Sequence, residues 1–211
     1  MFGREKHIMV PDASVEALFD ARRNAPKPDY ATLSVEMART TFAAAQAATV
    51  LEKPEMAEII EVEDSWNGEP LRLRVYRPSL NAELQAALIY FHGGGWVLGS
   101  LESHDHICRT LAATADVVVI AVDYPLAPES RYPCAVLYGL NAINWVFANV
   151  DALGLDRQRI AVGGDSAGGN LAAVMALHAR NGDLPRLAAQ VLLYPVLDLT
   201  MSGASYVDPH P

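Results

Sequence analysis

From residue 86 onward, short and almost continuous apolar runs alternate with longer segments of helical periodicity. A strand that reads as an unbroken apolar run is buried on both faces, as parallel strands are when crossover helices cover them. The pattern therefore predicts an α/β fold with a mostly parallel sheet and flanking helices. The predicted strands are Ala86–Phe91, Val117–Val122, Arg159–Val162 and Gln190–Val196, and the predicted helices are Ser103–Thr114, Ala135–Asn149 and Ala167–Arg180.

The preceding residues predict two helices followed by a hairpin. The helices are separated at Pro26-Lys27-Pro28-Asp29, where two prolines prevent a continuous helix. Apolar and charged residues then alternate over Ile59–Val62 and Leu71–Tyr76, on either side of Asn67-Gly68. Alternation across an Asn-Gly turn indicates an antiparallel hairpin.

Charge and hydropathy narrow the class of partner. Lys and Arg number 16 against 25 Asp and Glu, a net charge of −9, which disfavours nucleic acid and anionic membranes. The longest apolar stretch, Leu171–Leu177, is too short to cross a bilayer, and the N-terminus has no apolar signal core. We expect a cytoplasmic protein whose two cysteines, Cys108 and Cys134, are free and mostly buried.

The segment Gly164-Asp165-Ser166-Ala167-Gly168 matches G-x-S-x-G between a predicted strand and a predicted helix. A serine on such a sharp turn has its hydroxyl exposed above the sheet, and the flanking glycines allow close backbone packing. Ser166 is therefore the candidate nucleophile. The alternative, a phosphate-binding turn, lacks both the Lys-Ser/Thr of a P-loop and a G-x-G-x-x-G pattern.

The segment His92-Gly93-Gly94-Gly95-Trp96 directly follows the strand Ala86–Phe91. Three glycines leave their N–H groups unobstructed, so the loop can aim donors at a developing oxyanion, where one donor is worth about 3–4 kcal/mol. We predict that all three glycines belong to an oxyanion hole and that Ala167, the first helical residue, adds another N–H. His92 and Asp165 are predicted to support the two motifs.

At these motifs the sequence resembles the hormone-sensitive lipase-like branch of the α/β-hydrolase fold, a group of esterases. The resembling blocks stand in family order: Tyr90–Trp96, Asp123–Glu129, Gly164–Ala172, and Leu193–Pro195 with Asp198. The resemblance implies an α/β-hydrolase core in residues 53–211 and helices in residues 1–52 that form part of a substrate-covering cap. Pro125 departs from the family, which usually has an arginine there.

Two lesser signals lie between the motifs. His104-Asp105-His106 carries metal-ligand types, but side chains two residues apart on a helix point away from each other and no further ligands are evident. We therefore predict no metal and no cofactor. Asp123 and Glu129 flank a proline-rich loop, and we expect them to fix its backbone.

The catalytic acid and histidine of an α/β hydrolase follow the serine along the chain. After Ser166 come His178, about 18 Å further along the predicted helix at ~1.5 Å per residue, and His210 in a turn-rich tail. The distance excludes His178, and His210, oriented by Asp198 or Asp208, is the competing candidate. The resemblance implies two further strands that carry the acid and the base. We therefore expect this chain to lack the last strands and to be nearly inactive alone.

The sequence leaves three functional hypotheses. The first is a carboxylic ester hydrolase that acts on small esters through an acyl-enzyme at Ser166, with the activity in the full-length enzyme. The second is a non-catalytic ligand-binding relative, and the third is an amidase or deacetylase. The intact serine and glycine loop favour the first. The apolar strand Gln190–Val196 would lie at a sheet edge, which invites self-association or pairing with a complementing C-terminal segment.

Overall fold

The computed structural model describes residues 28–48, 52–80 and 83–203, together with Glu16 and Asp20. Leu33–Leu199 form one compact unit, and a second unit combines Met1–Thr32 with Thr200–Pro211. In the described part of the second unit, Tyr30–Thr32 form a 3₁₀ turn. The elements of the first unit are α1 (Val35–Ala48), β1 (Glu58–Trp66), β2 (Glu69–Arg77), β3 (Gln85–Phe91), α2 (Asp105–Ala115), β4 (Val118–Val122), α3 (Cys134–Ala148), β5 (Leu155–Asp165), α4 (Ala167–Asn181) and β6 (Gln190–Leu193).

The six strands form one mixed sheet in the order β1-β2-β4-β3-β5-β6. The hairpin β1–β2 is antiparallel and joins β4 through an antiparallel pairing, whereas β4, β3, β5 and β6 are parallel. The turn between β1 and β2, at Asn67 and Gly68, has φ angles of 53° and 82°, as a two-residue hairpin turn requires. The predicted hairpin and parallel sheet are confirmed.

Strand β3 lies in the middle of the sheet and determines where the two sequence motifs meet. Phe91, its last residue, pairs with Val122 of β4 on one side and with Gly164 of β5 on the other. The carboxyl ends of β3 and β5 are therefore adjacent. Because ligands of open α/β sheets bind outside the carboxyl ends of the strands, this edge is where a site is expected.

Both faces of the sheet are buried, as the unbroken apolar strands predict. Alternate residues of β3 belong to different cores: Ile89 and Phe91 pack with α3 and α4, whereas Leu88 and Tyr90 pack on the α2 side. On that side Cys108 of α2 is fully buried. The helices thus cover the sheet from both sides and leave the carboxyl edge to the connecting loops.

Several predictions made from the sequence differ from the structure. Strand β5 begins at Leu155 rather than Arg159, and β6 ends at Leu193 rather than Val196 because Tyr194 adopts a positive φ of 35°. Cys134 is exposed, so the prediction of two mostly buried thiols is wrong for it. Of the predicted first helix only Glu16 and Asp20 are described, and the rest lies outside the described residues.

Candidate active site

Ser166 occupies the turn between β5 and α4 with φ 53° and ψ −116°. A positive φ is uncommon for a residue with a side chain and is typical of a nucleophile elbow. A Cβ on Gly164 or Gly168 would lie far inside van der Waals distance of the Phe91 carbonyl oxygen. The turn can form only because both positions are glycine and the end of β3 packs directly against them.

The backbone of Ser166 is held by hydrogen bonds from both directions. Its N–H donates to the carbonyl oxygen of Leu193 at 2.9 Å, and its carbonyl oxygen accepts from the N–H of Asn170 at 3.1 Å and of Val196 at 3.2 Å. The amide of Asn170 also donates to the Val196 carbonyl oxygen at 2.8 Å. The side chain of Ser166 makes no capping bond to helix α4, so its half-buried hydroxyl is available for other partners.

The glycine loop, residues 92–99, follows β3 and folds into a tight turn. Gly94 and Gly95 have φ angles of 122° and 61°, which favour glycine. The carbonyl oxygen of Gly94 accepts the N–H of Val97 at 3.1 Å and of Leu98 at 2.8 Å. A Cβ on Gly94 would collide with the Leu98 carbonyl oxygen, whereas one on Gly95 would meet no atom within 4 Å.

The first glycine of the loop does not have a free N–H. The Gly93 N–H donates to Asp165 Oδ1 at 2.9 Å, in a buried contact. An N–H already bound to a carboxylate cannot also bind a substrate oxyanion, so the structure corrects the prediction for Gly93. The donors that we continue to propose for an oxyanion are the N–H groups of Gly94, Gly95 and Ala167.

Asp165 joins the elbow to the glycine loop through the polar contacts of its buried carboxylate. Besides Gly93, its carboxylate accepts the Tyr90 hydroxyl at 2.8 Å and the Tyr194 hydroxyl at 3.4 Å, and His104 Nε2 lies 3.5 Å from Oδ1. Burial alone would raise the pKa of this carboxyl, but His104, Tyr90 and the Gly93 N–H together outweigh it and lower the pKa. Asp165 is therefore held as a carboxylate.

The His92 ring lies beneath the loop, stacked on Tyr124 with ring centroids 4.3 Å apart. Its Nδ1 is 2.8 Å from the Gly93 carbonyl oxygen, and because a carbonyl can only accept, Nδ1 carries the proton. Burial lowers the pKa of His92 to about 4, so the ring is neutral at pH 7. A trans peptide directs its C=O and N–H oppositely, so this bond turns the Gly94 N–H away from His92.

His104 is a site residue that the sequence did not indicate. Its side chain is buried, approaches Asp165, lies 5.3 Å from the His92 ring centroid, and has Nδ1 2.8 Å from the Ser103 hydroxyl. Asp105 instead pairs with Lys53 at 2.7 Å and Arg109 at 3.0 Å. Asp105 thus has partners other than His104. In the described part of the chain no three His, Cys, Asp or Glu groups are arranged to hold a metal ion.

The loop after β4 is also fixed by charged side chains, but through partners elsewhere. Asp123 pairs with Arg72 at 2.9 Å, and Glu129 pairs with Arg39 at 2.7 Å. Glu129 accepts its own backbone N–H, and Arg39, to which it is paired, donates to the Ala127 carbonyl oxygen at 3.0 Å. Glu129 thus fixes the backbone of this loop as expected, and the role of Asp123 stays a prediction. Arg39, on α1, is a second residue that the sequence did not indicate.

The histidines after Ser166 have different positions. His178 lies in the last turn of α4, where its Nδ1 is 2.8 Å from Asp183 Oδ2. It is thus paired at the opposite end of the helix from Ser166. His210 and Asp208 lie outside the described residues, whereas Asp198 is described and has an interaction partner.

Comparison with known protein families matches residues 88–210 to the alpha/beta hydrolase fold, which is more than half of the chain. The chain belongs to this α/β hydrolase fold family. Both the fold class and the family resemblance inferred from the sequence are confirmed. The glycine loop and the elbow lie inside the matched region.

Individual relatives of this α/β hydrolase are named as esterases. It is 40% identical to carboxylesterase NlhH of Mycobacterium tuberculosis over 74% of this chain and 50% of the relative. It is 42% identical to ethyl acetate hydrolase of Pseudomonas putida over 89% of this chain and 61% of the relative. A solved thermostable esterase from Pseudomonas putida ECU1011 superimposes with a TM-score of 0.84 at 36% identity, covering 93% of this chain and 61% of that one.

These coverages show that the chain spans about half to three fifths of the length of the relatives it matches. The share of this chain that is covered is much larger, so the shared part includes most of what is described above. Among the described residues, no helix combines the length and apolarity needed to cross a bilayer.

Proposed function

We propose that the complete enzyme is a carboxylic ester hydrolase that forms an acyl-enzyme on Ser166. The observation that carries the proposal is the position of Ser166, at φ 53° on the carboxyl edge of the sheet, next to a loop that contains Gly94 and Gly95. The names of its relatives, carboxylesterase and ethyl acetate hydrolase, support the same class of reaction.

In the proposed reaction the Ser166 hydroxyl oxygen attacks the ester carbonyl carbon while a base removes its proton. The carbonyl oxygen becomes an oxyanion, which the N–H groups of Gly94, Gly95 and Ala167 stabilise. Collapse of this intermediate breaks the bond to the alcohol oxygen, and the alcohol leaves with the proton from the base. Water then attacks the acyl-enzyme in the same way and releases the carboxylic acid.

We further propose that the acid and the histidine come from polypeptide that adds to the sheet beyond β6. His178 is paired with Asp183 and remote from Ser166 along α4, which supports a source elsewhere. Strand β6 lies at the edge of the sheet and Val191 is 38% exposed, so this edge can accept another strand. A complementing C-terminal segment is the proposed occupant, and self-association is the competing one.

The proposed substrates are small, uncharged esters, consistent with the net charge of −9. We propose that residues 1–52 contribute to a cap over the substrate and that residues 53–211 belong to the hydrolase core. We also propose a cytoplasmic location.

The experiment compares the 211-residue chain with a form extended by the C-terminal segment that we propose to carry the catalytic acid and histidine. Both are assayed with p-nitrophenyl acetate and with a fluorophosphonate label. We expect turnover in the extended form, labelling at Ser166, and little turnover in the shorter chain. Faster cleavage of the matching p-nitroanilide would instead indicate an amidase. The absence of turnover in the extended form would favour a ligand-binding relative, and ordinary turnover by the 211-residue chain, abolished by His210→Ala, would make His210 the base.

A further inference from the structure

The guanidinium of Arg39 contacts two loops of the active-site edge at once. Arg39 lies on α1, and its Nε donates to the Val97 carbonyl oxygen at 2.9 Å while Nη2 donates to the Ala127 carbonyl oxygen at 3.0 Å. Nη1 and Nη2 also donate to the two carboxylate oxygens of Glu129, at 2.9 and 2.7 Å. A single side chain therefore joins three segments that are distant in the sequence.

The contact at Val97 reaches the glycine loop at a structurally sensitive point. The Val97 N–H closes the turn on the Gly94 carbonyl oxygen, and the neighbouring Trp96 carbonyl oxygen accepts the Ala127 N–H at 2.8 Å. Arg39 thus binds the carbonyl oxygen of the residue whose N–H closes the turn on Gly94. A shift of Val97 would change the orientation of the Gly94 and Gly95 peptides.

The chemistry of this contact requires arginine. Its planar fork can serve one carboxylate and two carbonyl oxygens together, whereas a lysine ammonium lacks the fixed fork. The Arg39 and Glu129 side chains are 33% and 62% exposed, and an ion pair that exposed contributes little to stability. The arrangement therefore has its main effect on loop geometry.

We infer that Arg39 is a positioning residue, which holds the glycine loop in its oxyanion-binding shape by bridging Val97, Ala127 and Glu129. The role in catalysis rests on the proposed function. Helix α1 then supports the proposed active site, because removal of its Arg39 side chain would loosen the glycine loop, which is distant from α1 in the sequence. A misplacement of about 1 Å in such a loop can lower a rate on the order of 10²-fold.

The first test needs no activity and uses the 211-residue chain. Hydrogen–deuterium exchange is measured for peptides that cover residues 92–99 and 124–129 in wild type, Arg39→Lys and Arg39→Ala. We expect at least about tenfold faster exchange at protected amides of both segments in the two variants. Met37→Ala, at a 55% exposed position of the same helix, is the matched control and should leave both segments unchanged. Unchanged exchange in Arg39→Ala, or an equal rise in Met37→Ala, would overturn the inference.

The second test uses the extended, active enzyme. Arg39→Lys should lower kcat about tenfold or more with little change in KM, and Glu129→Gln, which keeps Arg39 and both of its carbonyl bonds, should lower kcat less. An unchanged kcat in Arg39→Lys would overturn the positioning role. If wild type showed no esterase activity, the proposed function would fail, while the exchange measurement would still decide whether Arg39 fixes the loop.

Discussion

The elbow at Ser166 and the glycine loop meet at the same sheet edge but are held by different kinds of contact. The elbow is fixed by backbone atoms, through the bond from Ser166 to Leu193 and the close approach of Phe91 to two glycines. The loop is fixed largely by side chains, through Arg39, His92 and Asp165. Substitution of neighbouring side chains should therefore change the shape of the elbow little, whereas a Cβ added to either of its two glycines should distort it. The shape of the glycine loop should respond to substitutions at residues that are distant from it in the sequence.

The largest effect is expected at the elbow. In the extended enzyme Ser166→Ala should lower kcat at least about 10³-fold, because the proposed nucleophile is removed while the proposed oxyanion donors remain. Folding should be almost unchanged, since alanine retains the same backbone strain. A p-nitrophenyl ester assay measures the first quantity and urea unfolding the second.

A second variant, Ser166→Gly, tests the backbone strain at this position as well as the loss of the hydroxyl. Glycine adopts a positive φ without penalty, so the variant should be inactive but more stable by about 1 kcal/mol. A variant at Ser166 that kept a tenth of the activity would contradict the nucleophile assignment.

The next effect separates two adjacent glycines of the loop. Gly94→Ala should lower kcat about 10²-fold and KM little, because the new Cβ would displace the Leu98 carbonyl and with it the proposed donors. Gly95→Ala should affect kcat less, since that Cβ would meet no atom.

The control for Gly95 is Gly154, which has nearly the same φ angle and lies outside both motifs. Their φ angles are 61° and 60°, and neither Cβ would have a neighbour within 4 Å. Both alanine variants should lose about 1 kcal/mol of stability from the left-handed backbone alone. A raised KM with unchanged kcat in Gly94→Ala would make the loop a substrate-binding element instead.

A pH experiment tests the polar support of the loop. Because the pKa of His92 is lowered to about 4, the folded protein binds fewer protons than the unfolded chain below a pH of about 6.5. The free energy of unfolding should therefore fall as the pH is lowered from about 6.5 to about 4, by roughly 3 kcal/mol for this residue. His92→Asn, which keeps a donor near the Nδ1 position, should show a flatter curve in this range.

His178, which is half-exposed, provides the matched control for the pH dependence of the free energy of unfolding. His178→Asn should leave the fall between pH 6.5 and 4 in place, so equal flattening in both variants would remove His92 as the cause.

The depressed pKa of Asp165 affects the free energy of unfolding at lower pH, because its stabilisation is present above about pH 3.9 and is lost as the pH falls through its folded pKa. Urea unfolding at several pH values separates the two.

The smallest effect is expected at the sheet edge. Val191→Lys puts a charge on β6 and should reduce any concentration-dependent association of the 211-residue chain, with a change in stability within about 0.5 kcal/mol. Sedimentation velocity at increasing concentration measures the association. If wild type is monomeric throughout, self-association is excluded as the occupant of this edge.

The sequence predicted the elbow and two supports of the glycine loop, His92 and Asp165, but not the supports that come from remote segments. A G-x-S-x-G turn is a local pattern, whereas Arg39 and His104 become site residues only when remote segments fold beside them. The three glycines of the loop are equivalent in sequence, so nothing there showed that the Asp165 carboxylate would occupy the Gly93 N–H. The start of β5 was missed because polar residues, Asp156 to Arg159, interrupt its apolar pattern.

The order of strands has a consequence for how the protein is made. The strands that flank β3 in the sheet, β4 and β5, both follow it along the chain, so β3 leaves the ribosome before either neighbour exists. The bond from Gly93 to Asp165 spans 72 residues, and contacts of such high sequence separation form late. The glycine loop is therefore translated early but can take its final shape only after β5 has been synthesised. A stalled nascent chain that ends before residue 165 should hold a folded β1–β2 hairpin and an unformed glycine loop.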